Sequence, residues 1–152
     1  MFLGPWEAGG PYDVDGIVGV SRWLFRVWSV VTEAPATAEA PDAPAARELR
    51  GMVHRTIARV TEDLERYRMN TMVSALMELT NGLQRVRDAS LQGGEPVDRA
   101  AWDEALATLA LLMAPACPHI AEEIWERTGH EYSVHQQRWP VADPALLRRE
   151  TV

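Results

Sequence analysis

Lysine is absent from this chain, and all 15 basic residues are arginine. That gap excludes a phosphate-loop lysine, a Schiff-base lysine and a lysine nucleophile. Cysteine is nearly as scarce, with Cys117 alone, so neither an internal disulfide nor a cysteine-based zinc finger can form. A reducing compartment, the cytoplasm, is the expectation. Long apolar runs are also missing. LATLALLMA falls far short of the roughly 20 residues of a bilayer span, and no charged-then-apolar leader opens the chain, so no membrane partner is expected. Positive charge is in deficit as well. A net charge of −7 argues against a free-standing nucleic-acid binder, and DNA is not an expected partner, although local basic faces stay open.

What is present fits one globular domain: 152 residues, 47% apolar and 24% charged. The most informative stretch is LLMAPACPHIAEEIWERTG, Leu111 to Gly129. Pro115 and Pro118 lack a backbone N–H and disfavour helical geometry in the residue before them, so one helix must end near Ala114 and another begin near His119. Gly129 is a natural stop for the second.

Upstream, MFLGPWEAGGPYDVD reads as an ordered loop, with Asp15 able to cap a first helix from Gly16. That helix is marked by Ile17, Val20, Leu24, Val27, Trp28 and Val31 at helical spacing. Residues 32 to 46 form a Pro/Ala stretch without apolar periodicity, expected to be a mobile connection. Leu49, Val53, Ile57, Val60, Leu64 and Tyr67 trace a long second helix with Arg50, His54, Arg55, Arg59, Glu62 and Asp63 on its other faces. A third stripe starts after a cap at Asn70-Thr71, runs along Val73, Leu76, Thr80 and Leu83, and ends before Gly93-Gly94. Asp98 can cap a fourth helix along Trp102, Leu106, Leu109 and Met113, and a short fifth covers His119 to Thr128. The tail has one short extended stretch at best. The fold class expected is all-α: an antiparallel bundle of about five helices closed by Trp23, Trp28, Trp102 and Trp125.

Three constellations invite a chemical reading. His119, Glu122 and Glu123 share a helix, but a dinuclear carboxylate site needs a second Glu/His helix, which the surroundings of His54 do not provide, so no metal is expected. Cys117 stands at a helix N-terminus, where a thiolate would be stabilised; with no base beside it, a buried filler is the preferred reading. The basic set Arg22, Arg26, Arg50, His54, Arg55 and Arg59 recurs at three- and four-residue intervals and could line an RNA backbone, against the blander reading of a solvated face.

FLGPWE with its GGP, GIVGVSRWLFRVW, VHRTIARVTEDLERYRMNTMVSALMELTN, and APACPHIAEEIWE with SVHQQRWP resemble, in this order, the leucyl-tRNA synthetases of the bacterial type. APACPHIAEEIW is shared with the class I synthetases for valine, isoleucine and methionine. The leucine assignment rests on FLGPWE, on the VHRTI and TEDLERYRMNT block, and on His119 within PHIAEE. The resemblance implies the helical anticodon-binding domain that follows the catalytic core. No catalytic residue is implied in this chain, because neither HIGH nor KMSKS occurs, and ATP and Mg belong to the absent catalytic domain. Residues 1–15 then read as a strap from that domain, 16–130 as the tRNA-binding domain, and 131–152 as a tail leading to a further domain.

By the same resemblance the intact enzyme is a leucine–tRNA ligase, and this fragment would position leucine-accepting tRNA through phosphate and ribose contacts. The partners implied are that tRNA and the catalytic domain of the same polypeptide. Arg22, Arg26, Arg55 and Arg59 are the candidate tRNA-binding residues, and Trp6 and Trp139 read as interface packing. A free-standing helical protein-interaction module derived from the same fold is the alternative.

Overall fold

The computed structural model describes residues 14–147. The sequence readings on Trp6 and most of the strap lie outside that range. The described chain is mostly helical: α1 (Val14–Thr32), α2 (Pro44–Glu65), α3 (Met69–Leu91), α4 (Arg99–Met113), α5 (Pro118–Arg127) and a four-residue α6 (Pro144–Leu147). The stretch expected to be mobile is instead tied down. Its β1 (Thr37–Ala38) pairs in parallel with β2 (Val97–Asp98), Thr37 opposite Val97, and its last residues already belong to α2. Proline at the first turn explains the early start, since Pro44 has no N–H to leave unpaired there. No helix among the described residues is long and apolar enough to cross a membrane.

The expected tryptophans form the heavy part of the core. Trp23, Trp102 and Trp125 are buried together with Leu76, Leu83 and Leu109. Trp28 is half-buried and carries the Arg127 guanidinium 4.6 Å above its ring, a contact from α1 to α5. On α1 the buried face runs through Trp23, Val27 and Val30, and the expected member Ile17 is exposed. Trp23 explains the shift: its indole N–H donates to Thr80 Oγ1 at 3.0 Å inside the core, so the largest side chain sets the helix rotation. Gly82, buried in α3, leaves the space into which the Met52 thioether of α2 fits.

Helix ends follow one device. After α2, α3 and α5, a residue with positive φ reverses the chain and a 6→1 hydrogen bond closes the turn: Arg68 N–H to Asp63 O at 2.7 Å, Gly94 N–H to Ala89 O at 2.9 Å, and His130 N–H to Trp125 O at 3.2 Å. Gly93 and Gly129 take the left-handed position after α3 and α5, but after α2 it is held by Tyr67, at φ 55°. Tyr67 was expected on the buried stripe; it is 73% exposed because the stripe ends with the helix. α1 begins at Val14, which places Asp15 within it and not at its cap. α3 likewise starts at Met69, after Arg68, with no side-chain cap from Asn70 or Thr71.

The expected cap of the fourth helix is in place and does more than cap. Asp98 accepts from Ala101 N–H at 2.9 Å and from Ala40 N–H at 3.0 Å, and Arg50 of α2 lies 3.7 Å away. The Ala101 and Ala40 N–H groups hold its carboxyl below the usual carboxylate range; Arg50 acts in the same direction, and burial opposes them. A depressed folded pKa contributes stability that is present above about pH 4 and lost as pH falls through the folded value. Thermal melts between pH 5 and 3 should therefore show a smaller loss of stability for Asp98→Asn than for the parent chain. Tyr67→Gly should stabilise the fold by about 0.5 to 1 kcal/mol in urea unfolding, because the left-handed penalty of a non-glycine residue exceeds the extra entropy of an unfolded glycine.

Candidate nucleic-acid interface

The four candidate arginines fall into two groups. Arg55 and Arg59 of α2 line an open groove of about 640 Å³ between α2 and α3, whereas Arg22 and Arg26 of α1 do not reach it. The floor of the groove is apolar, with Leu49, Met52, Leu79 and Val86, and carboxylates of Glu48, Glu78 and Glu95 stand among the arginines. A third cation, Arg85 of α3, joins the two from α2.

Availability separates them further. Among the described residues, Arg22, Arg26, Arg55 and Arg85 make no ion pair and no side-chain hydrogen bond, while Arg59 is held by Glu78 at 2.7 Å. Arg26 goes further, since its Nε is buried without a partner. Spacing along α2 favours Glu62 and Asp63 as partners of Arg59, three and four residues on. Those carboxylates are taken from beyond the helix end. Arg66 reaches Glu62 at 3.1 Å, and Arg68 reaches Glu62 at 3.1 Å and Asp63 at 3.0 Å.

Arg85 is not among the arginines that the sequence singled out. Asp88, three residues on, reads as its intrahelical partner, yet Asp88 pairs at 2.7 Å with Arg87, which is buried and also bonded to Ser29 Oγ at 2.8 Å. Arg85 is left free on the groove wall. Arg50 and His54, members of the basic set, are already engaged: both bond Glu104 of α4 at 3.0 Å.

The acidic helix after the double proline serves the architecture. Glu122 accepts from Ser133 Oγ at 2.6 Å and from Val134 N–H at 3.3 Å, fastening the 3-10 turn Val134–Gln136 that opens the tail. That turn and α6 replace the single extended stretch expected there. Glu123 pairs with Arg127 one turn on at 3.0 Å, and Trp125 donates to Glu131 O at 2.8 Å and stacks on His130 at 3.9 Å between ring centroids. His119 is exposed at the second position of α5. Among the described residues no group of three His, Cys, Asp or Glu side chains is arranged to hold a metal ion. Cys117 occupies the N-cap position of α5, and burial pushes its thiol up. It stays a thiol at neutral pH.

A sequence model of the anticodon-binding domain of tRNA ligase matches residues 46–152. The chain belongs to the anticodon-binding domain family of tRNA ligases. Among curated proteins it is 48% identical over 152 residues to the leucine–tRNA ligase of Rubrobacter xylanophilus, covering all of this chain and 17% of that protein. It is 45% identical to that of Dehalococcoides mccartyi strain 195 and 43% identical to that of Deinococcus radiodurans, covering all of this chain and 18% of each. The chain thus spans less than a fifth of the length of these relatives. A solved structure, the ternary complex of Agrobacterium radiobacter K84 agnB2 LeuRS with tRNA and LeuAMS, superposes with a TM-score of 0.78 at 24% identity, over 98% of this chain and 20% of that one. The fold is shared. The resemblance to leucyl-tRNA synthetases drawn from the sequence is borne out by these relatives.

With its thiol held protonated by burial, Cys117 should react at pH 7.5 at least about tenfold more slowly with a disulfide reagent in the native chain than in urea. Release of the chromogenic thiol from the reagent provides the rate.

Proposed function

We propose that this chain is the tRNA-binding domain of a leucine–tRNA ligase, placing leucine-accepting tRNA for a catalytic domain of the same polypeptide that uses ATP and Mg to attach leucine. The relatives that match the whole chain support the assignment to that enzyme, and the solved neighbour that carries tRNA supports the partner. The domain itself performs no chemistry in this reading; it works in the cytoplasm, with 1–15 as a strap from the catalytic domain, 16–130 as the tRNA-binding unit and 131–152 as a tail.

The bundle is antiparallel in this reading. Met52 meets Gly82 while Arg59 meets Glu78, so contacts advance along α2 as they retreat along α3, which supports that sense for the pair. The contacts of α1 on α3, Trp23 with Thr80 and Ser29 with Arg87, advance together, so α1 runs parallel to α3 and opposite in direction to α2.

The observation that carries the RNA reading is the set of guanidinium groups without partners on two faces, Arg22 and Arg26 on α1, and Arg55 and Arg85 in the groove. Arg59 belongs to the same surface but must exchange Glu78 for phosphate. A forked, permanently charged guanidinium suits phosphate oxygens, and contacts of this kind read shape and backbone position more than base identity. Binding should be weak and salt-sensitive, because few phosphates are neutralised by a chain of net charge −7.

Filter binding of tRNA across a salt series tests this. Arg55→Ala and Arg85→Ala should each weaken binding several-fold and reduce the slope of log K against log salt by about 1, with Arg22→Ala and Arg26→Ala in the same direction and Arg59→Ala smaller. Unchanged affinity in the combined variant would remove these arginines from the interface.

A further inference from the structure

The chain after Trp139 lies along α2, attached at three places. The Trp139 indole N–H donates to Thr61 Oγ1 at 2.8 Å, the Asp143 backbone N–H donates to His54 Nδ1 at 3.0 Å, and the Leu146 carbonyl oxygen lies 3.4 Å from where a Cβ on Gly51 would stand. Thr61, His54 and Gly51 descend α2 as 139, 143 and 146 ascend the tail. The middle attachment is the one with an acid–base character.

His54 is fixed in one state by bonds of opposite sense. A backbone N–H can only donate, so Nδ1 must present a lone pair to Asp143; a carboxylate can only accept, so Nε2 must carry the proton that reaches Glu104 Oε1 at 3.0 Å. Both are satisfied only by the neutral imidazole protonated on Nε2. A second proton has one place to go, Nδ1, where it would face the Asp143 N–H. The charged surroundings are few. From α4, Glu104 favours the imidazolium; from α2, Arg50 opposes it while being bound to Glu104 at 3.0 Å and lying near Asp98 of β2. From the tail, the Asp143 carboxylate is turned to the Ala145 N–H at 2.9 Å.

We infer that His54 is a positioning residue, a neutral clamp holding the Val141–Leu147 segment on α2, and that its protonation releases the segment while the Trp139 attachment stays closed. The sign follows from the bond. The Asp143 contact exists only with neutral imidazole, so the clamp is present while Nδ1 keeps its lone pair and is lost when Nδ1 takes a proton. Release bears on the groove, because the Leu146 carbonyl shares its seat over Gly51 with the Arg55 guanidinium, whose Nη1 lies 2.8 Å from the same Cβ position. The clamp itself stands on geometry that is independent of any RNA contact.

Amide hydrogen exchange followed by NMR on the 15N-labelled chain, corrected for intrinsic rates at pH 8 and pH 5.5, tests the clamp. Asp143 N–H should be protected at pH 8 and lose at least about tenfold of that protection at pH 5.5, while the Trp139 indole N–H keeps its own. His54→Asn puts an uncharged amide oxygen near the Nδ1 position and should keep Asp143 protected at both pH values. His54→Gln keeps a donor for Glu104 but no acceptor near Nδ1, and should leave Asp143 unprotected at both. Equal protection of Asp143 at the two pH values in the parent chain, or the parent's pH dependence persisting in His54→Asn, would overturn the inference. Should either variant fail to fold, the His54 ring 15N shifts of the parent chain decide: a lone pair on Nδ1 at pH 8 supports the clamp, and a proton there refutes it.

Discussion

The carboxylate of Asp98 is the point on which distant parts of the chain converge. It closes the first turn of α4 through Ala101, receives the Ala40 N–H from the segment between α1 and α2, and lies beside Arg50 of α2. Three segments thereby share one buried anion, which is acceptable in a core only because hydrogen-bond donors surround it. The same line of contacts continues outward: Arg50 and His54 divide the two oxygens of Glu104, and His54 accepts from Asp143 in the tail. A polar seam thus runs from the core past Arg50 and His54 of α2 to the tail, alongside an apolar core built on tryptophan, leucine and methionine.

That allocation explains how a chain of net charge −7 can leave cations free. Carboxylates are committed to architecture: Asp98 and Glu104 to the seam, Asp63 and Glu62 to the end of α2, Asp88 to buried Arg87, and Glu122 to the tail turn. Net charge therefore measures the local field poorly. A guanidinium in the α2–α3 groove is exposed to whatever approaches that surface, and its usefulness depends on whether a carboxylate has already claimed it. By that measure Arg55 and Arg85 differ from Arg59, although Arg55 and Arg59 look equivalent as neighbours one turn apart.

Much of the architecture is legible from residue order because its determinants are local. The double proline, the Asp98 cap and the Gly129 stop each act within a few residues, so their positions could be read directly. The misreadings share a different cause, namely dependence on partners far away in sequence. The Pro/Ala stretch has no periodicity of its own, but Val97 and Asp98 give it a strand to pair with and a carboxylate to bond. Trp23 sets the rotation of α1 through Thr80, 57 residues on, which no α1 pattern announces. Of the candidate interface, the arginines of α2 could be listed but not ranked, and Arg85 could not be singled out, because the competition for Asp88 is decided by Arg87 being pinned to Ser29 on another helix.

The exclusive use of arginine connects these structural and surface roles. Arg87 is buried and bonds Asp88, Ser29 and lies 3.4 Å from Glu33, while Arg50 spans Glu104 and Asp98; each uses several directions of a planar fork at once. A lysine ammonium is a strongly hydrated point charge on a flexible stem, and in the place of Arg87 it would lose more hydration with fewer fixed bonds in return. The weaker hydration that lets arginine work inside also suits the arginines left outside to partly apolar ground. Arg55 and Arg85 stand over Met52, Leu79 and Val86, a floor that water solvates poorly and on which a guanidinium can lie while its N–H groups remain directed at an anion. Interior and groove thus draw on one property of the side chain, and what distinguishes a structural arginine from an available one is only the reach of the nearest carboxylate.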